Sequence, residues 1–258
     1  MLTFPQLSTG AAGQFPLWRS RRKRTILNAL ADGRTIRSGG ECGEVIWQLD
    51  LSELSGGERN AIEQLFAESE GRLRKFTFLD PAGNLLRHSE RLDEPAWTKD
   101  PLLAITAGAA DPMGSSRAFQ LANAGQGSQG IRQRLEVPSS FMYCWSVWIK
   151  GAGTATLSFG SLARTYPVSD FWTRLVLGGC PSGTEEAVTF RLDLGSATVV
   201  DIFGCQVEPQ PGASTYKATG AVGGVYPTAR FGSDSLAITA DGPDRERALL
   251  RIVALTEN

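Results

Sequence analysis

Between residue 84 and about residue 219 no stretch repeats its apolar residues at helical spacing, and this limits the fold more than any other property of the chain. Strand-like runs recur instead at Ala118 to Leu121, Ile131 to Val137, Tyr143 to Ile149, Ala155 to Phe159, Trp172 to Leu177, Val188 to Leu194 and Val199 to Val207. Gly, Ser, Pro and Asp separate them, and short strands at such intervals build sandwiches and jelly rolls. From Val188 to Leu194, apolar Val188, Phe190, Leu192 and Leu194 alternate with Thr189, Arg191 and Asp193. One face of that strand is therefore core and the other meets water.

The flanks carry a different pattern. Glu44 to Leu51 alternates as a strand with Val45, Trp47 and Leu49 on one face. Ser55-Gly56-Gly57-Glu58 fits a capping box, and Ala61, Ile62, Leu65 and Phe66 then recur at helical spacing up to Gly71. Phe76 to Leu79 returns as a strand, and Asp80-Pro81 with Gly83-Asn84 reverses the chain where one module gives way to the next. Beyond a glycine-rich hinge at residues 220–224, Ser235 to Ala240 and Ala248 to Leu255 read as strands around an Asp241 to Asp244 turn. A helix over Arg245 to Leu255 also fits the spacing, but too few residues remain for a separate core. The expected plan is mainly β: an α+β domain in residues 1–83 and 220–258, with one helix on a small sheet, interrupted by a β-sandwich at 84–219.

A formal net charge of -1 argues against a chain whose main work is holding nucleic acid by bulk electrostatics. No apolar run reaches the roughly 18 residues of a membrane span, and no charged-then-apolar leader is present, so no membrane insertion is expected. Cys42, Cys144, Cys180 and Cys205 form no Cys-x-x-Cys pair, which removes the usual zinc and redox motifs. Cys144 and Cys205 read as small core residues; disulfides are the less favoured alternative.

Catalytic signals are sparse. His88 is the only histidine and has no nucleophile motif near it. Phosphate-loop and His-Glu-x-x-His patterns are absent, and the neighbouring Glu185 and Glu186 do not establish a carboxyl pair across a cleft. The expectation is a non-enzyme with no cofactor and no metal ligand.

Two clusters are candidates for binding. Arg19, Arg21, Arg22, Lys23 and Arg24 form a basic run that reads as an edge strand guarded by charge, a phosphate-contacting patch, a localisation signal or a salt-bridging surface for a neighbouring subunit. In Tyr143 to Lys150, Tyr143, Trp145, Val147 and Ile149 fall on the core face, and Cys144, Ser146, Trp148 and Lys150 on the other. Trp148 beside Ser146 and Lys150 is either a platform for a sugar ring or an indole covered by a loop. Trp97 and Trp172 carry the same two readings, with core the favoured one for both.

Asn84 to Glu90 with Trp97-Thr98-Lys99, Trp145 to Lys150, Phe171 to Arg174, and Phe203 to Glu208 with Ala213 to Tyr216 resemble, in order, a carbohydrate-binding-module-like jelly roll frequent in phage tail and baseplate proteins. Thr3-Phe4-Pro5, Thr9-Gly10-Ala11, the Trp47 strand, Leu54 to Glu58 and Phe76 to Pro81 resemble the first half of the tail-tube-like domain of phage distal tail proteins. The resemblance implies a structural virion protein at the tail tip or baseplate, assembled in the host cytoplasm. It implies a homo-oligomeric ring, usually hexameric, between the tail tube protein and baseplate hub or fibre proteins, with DNA only passing through the lumen. The inserted sandwich would project outward towards host surface glycan. A free-standing carbohydrate-binding adhesin and, further off, a glycan-cleaving enzyme are the competing readings.

Overall fold

The computed structural model describes residues 1–243 and 245–257, apart from the side chains of 24, 40–42, 256 and 257. The expectations for Arg24, the Cys42 thiol and Asp244 in its turn therefore lie outside the described residues. The fold is mainly β, with one helix among the described residues. It divides into two compact units, one comprising Met1–Leu7, Gly13–Phe78 and Tyr226–Asn258, the other Ser8–Ala12 and Leu79–Val225. The sequence reading placed these divisions at 83/84 and 219/220, and nothing local signalled that residues 8–12 belong with the sandwich.

In the first unit β1 (Leu17–Ala29) and β2 (Thr35–Leu54) form a long antiparallel hairpin. Next comes α1 (Gly56–Glu68), whose start is fixed by the expected capping box: Ser55 Oγ accepts from Glu58 N, and Ser55 N donates to Glu58 Oε2 at 2.8 Å. Ile62 and Leu65 are its buried residues. The strand β3 (Phe76–Leu79) follows and is buried throughout.

The second unit holds β4 (Thr98–Lys99), β5 (Leu103–Ala109), β6 (Ala118–Asn123), β7 (Gln129–Leu135), β8 (Tyr143–Phe159), β9 (Leu162–Val168), β10 (Thr173–Gly179), β11 (Val188–Leu194) and β12 (Val199–Glu208). The runs at Tyr143 to Ile149 and Ala155 to Phe159, read from sequence as two strands, are one 17-residue strand. The first half of β8 pairs with β10 and β12, and its second half with β9 and β11. β8 thus belongs to two sheets, with β6 and β5 extending one and β7 and β4 the other. Gly151 and Gly153 make the corner with φ of 146° and 111°. A Cβ on Gly151 would collide with the Val199 backbone, so glycine is required by both dihedral and space.

Inner faces of the two sheets share one apolar cluster that includes Trp145, Val147, Leu157, Phe190 and Leu192. Tyr143 meets Phe190 edge to face at 5.5 Å, and Trp145 Nε1 donates to the Arg191 carbonyl at 3.0 Å. The base of this unit is tied by its own backbone: Asp80 N donates to Gly224 O, and Gly224 N to Asn84 O, both at 2.8 Å. The glycines at 220–224, read as a hinge, are thus partly a tight seam; Gly223 lies so close to the Leu85 and Leu86 carbonyls that no side chain fits there.

The chain then completes the first unit with β13 (Val225–Phe231), β14 (Ile238–Gly242) and β15 (Arg245–Glu257). The strand order there is β1-β2-β15-β13-β3, so the tail is strand, as preferred over helix, and lies against β2. Trp47 is the centre of this core, 5.0 Å from Phe78 and 4.6 Å from Tyr226. Its complete burial removes an indole from water, worth on the order of 3 kcal/mol.

Candidate functional site

The candidate sugar platform lies on the outer face of the sheet formed by β5, β6, β12, the first half of β8, and β10. Cross-strand register sets its layout: Trp148 sits between Arg174 and Phe203, Ser146 between Val176 and Gln206, and Lys150 beside Asp201. The segment following β12 runs back over one half of this face. Arg174 donates through Nη1 to the Ser214 carbonyl at 2.6 Å and through Nη2 to Ser146 Oγ at 3.0 Å. Lys217 N donates to Gln206 Oε1 at 2.7 Å, and the Tyr216 ring packs on Phe203 at 5.2 Å.

Glu208 anchors this strap. Its side chain is fully buried and accepts from Ser214 N at 2.9 Å, from Ser214 Oγ and from Lys217 Nζ at 3.1 Å. Burial acts to raise the Glu208 carboxyl, but the Ser214 hydroxyl and amide, then Gln206 and Lys217, outweigh it and hold it below the usual glutamate range. Under the strap Ser146 is completely buried. It is a structural acceptor for Arg174 and leaves the set of groups that a ligand can touch.

The other half of the face stays open. Trp148 is half-buried, and its Nε1 is buried without a hydrogen-bond partner among the described residues. Lys150 Nζ lies 3.5 Å from Asp201 Oδ2 and 5.3 Å from the centre of the Trp172 ring. Gln120 Nε2 reaches Asp201 Oδ1 at 3.4 Å, and Phe171 beside Trp172 is 73% exposed. An indole, an amide, a carboxylate and an ammonium thus share one surface, the mixture of flat apolar area and paired donors and acceptors that suits a sugar hydroxyl array. Trp172, for which core is the favoured of two sequence readings, is half-buried like Trp148. Asp201 could have been noticed as the polar residue between Val200 and Ile202.

Trp97 is buried as read, and its Nε1 donates to the His88 carbonyl at 3.0 Å. His88 itself, at φ 49°, is a turn residue. Cys144, Cys180 and Cys205 are free thiols. Burial, with Glu208 nearby, pushes the Cys144 thiol up to about 12, which makes it inert. Among the described residues no group of three His, Cys, Asp or Glu is placed to hold a metal ion, and no helix is long and apolar enough to cross a membrane.

The basic run lies on β1, the edge strand of the first unit, with Arg19, Arg21, Arg22 and Lys23 all exposed. Arg19 is engaged at home, donating to Tyr226 Oη at 3.1 Å and lying 5.9 Å from the Trp47 ring centre. Among the described residues, the hairpin continues beyond this run as two strands alone, from the Thr25 and Gly39 pair to the Ala29 and Thr35 pair. β15 accompanies β2 no further than Cys42. Ile26, Leu27 and Ile36 are exposed there, at 43%, 60% and 50%. Sequence reading missed this apolar tip because its residues look like ordinary strand formers.

No family model and no curated protein matches the chain. Among solved structures it is similar to the enzymatically active domain of tailspike protein 4 of bacteriophage CBA120, at 15% identity and a TM-score of 0.40, over 48% of this chain and 21% of that one. The chain thus spans about a fifth of that tailspike domain's length. It is also similar to the CBM22-1 xylan-binding domain of Paenibacillus barcinonensis Xyn10C, at 16% identity and 0.39, over 50% of this chain and 96% of that one. TmCBM61, solved with β-1,4-galactotriose, aligns at 14% identity and 0.37 over 48% and 97%.

Proposed function

We propose that this chain is a ring-building structural protein of a phage tail tip, whose first unit assembles with copies of itself and whose sandwich contacts glycan. The observation that carries the assembly reading is the far part of the β1-β2 hairpin. A two-stranded ribbon exposed on both faces is marginal in water, and one with an apolar tip and a basic base is completed by a protein surface. Heterologous contacts between identical units form a ring when their rotation closes, the arrangement that the distal-tail-protein resemblance of the flanking segments implies. Tail tube and baseplate proteins are the neighbours this reading assigns, and no covalent step belongs to it.

The glycan reading is supported by the open half of the outer face, where Trp148, Trp172, Lys150 and Asp201 converge. Light scattering with negative-stain imaging tests the ring: particles of about six subunits are expected, and Ile26→Asp with Ile36→Asp is expected to leave folded monomers. A monomer at every ionic strength, unchanged by those substitutions, overturns the assembly reading and favours the adhesin. A glycan array with Trp172→Ala as control tests the second part; no retained glycan, or retention indifferent to Trp172, overturns it.

A further inference from the structure

The sheet of the first unit contains a gap. On one side of β15, Ala248 is opposite Ile238 and Ile252 is opposite Phe231, while residues 232–237 loop away in between. The ladder therefore skips Leu249 and Leu250 on this side, and the junction is marked by Gly232 N donating to Arg251 O at 2.6 Å. A slot of about 320 Å³ opens here, large enough for a bulky side chain and its flanks. Its floor is apolar, with Phe66 and Phe231 edge to face at 5.1 Å beside Leu236 and Leu250. Gln48 and Arg251 line its mouth.

Two further features say what fits. The acid in the loop, Asp234, is already engaged by Arg72 at 2.6 and 2.8 Å. Arg251, whose stem lies against Gly232, makes no ion pair among the described residues. The uncompensated charge at the mouth is therefore positive. Register also places Trp18 in one row with Gln48 and Arg251, so a 72% exposed indole flanks the mouth at roughly two strand spacings, about 10 Å.

We propose that this slot docks an acidic segment of a partner polypeptide that inserts an aromatic side chain. The ring enters between Leu236 and Leu250 onto the Phe66 and Phe231 pair, a flanking carboxylate meets Arg251, and the extended backbone lies along the skipped stretch of β15. This docking does not depend on ring formation or on glycan binding.

The test is methyl NMR of the full chain titrated with two capped peptides, acetyl-Glu-Phe-Glu-amide and acetyl-Glu-Ala-Glu-amide. With the Phe peptide the Leu236, Leu249 and Leu250 methyl signals are expected to shift saturably, and the Ala peptide to bind about tenfold more weakly. Arg251→Gln, a surface change that spares the core, is expected to weaken the Phe peptide about threefold or more and to flatten its salt dependence. Ser235→Trp, which fills the slot, is expected to abolish the shifts. Unmoved Leu236 and Leu250 signals in the wild-type chain, equal binding of the two peptides, or shifts that persist in Ser235→Trp overturn the proposal.

Discussion

The two units differ in how much apolar surface they leave in water. The sandwich gathers its large side chains into a single cluster and then covers half of an outer sheet face with residues 213–219. The first unit has a core of its own around Trp47, yet leaves Trp18, Leu27, Leu249 and Leu255 exposed at 72%, 60%, 69% and 59%. An apolar side chain left in water forgoes on the order of 2 kcal/mol of burial. Most of the exposed large apolar side chains therefore lie on the first unit, while the sandwich leaves a few, with Phe171 at 73% the most exposed of them.

The strongest way to break this comparison is at the corner of β8. Gly151→Ala forces a Cβ onto Val199 and Val200 at a φ that side chains resist, and is expected to cost the sandwich about 3 kcal/mol or more. Hydrogen exchange should then quicken in β11 and β12 and remain unchanged in β2 and β15. Equal loss in both sets of strands would mean that the units unfold as one.

A smaller effect is expected at the strap. Glu208→Ala leaves Lys217 and Ser214 without their acceptor and is expected to cost about 2 kcal/mol, read as faster tryptic cleavage after Lys217. The same anchor responds to acid. A carboxyl held below its ordinary value stabilises the fold fully above about pH 4.5, and this contribution disappears as the pH falls through the folded value. Acid should therefore release the strap in the wild-type chain and have no such effect in Glu208→Ala. The smallest change is expected at α1, where Ser55→Ala removes the cap and lowers the stability of the first unit by about 1 kcal/mol, measured by denaturant unfolding. A loss confined to the first unit would sharpen the distinction.

Features that announce themselves locally were legible in the chain. The cap at Ser55 and Glu58, the alternation through β11 and the buried face of Tyr143, Trp145, Val147 and Ile149 are all local patterns. β5 and β9 were not legible, since Ala and Gly dominate one and the other holds Pro167, and both are largely exposed. Nor was the continuity of β8, because glycines at 151 and 153 read as a break when they are a bend. The strap escaped notice for another reason. Whether Ser146 faces solvent depends on residues some seventy positions later in the chain, and no periodicity within β8 encodes that.

The hydrogen bonds joining Asp80, Asn84 and Gly224 also have a consequence for how such a chain folds. Closing a disordered loop costs entropy that grows with the logarithm of its length. Here the sandwich brings its own entrance and exit together, so once it has formed, the strands of the first unit need span only a short connection. The long detour through residues 79–225 then weighs on the search for β3 and β13 little more than a tight turn would.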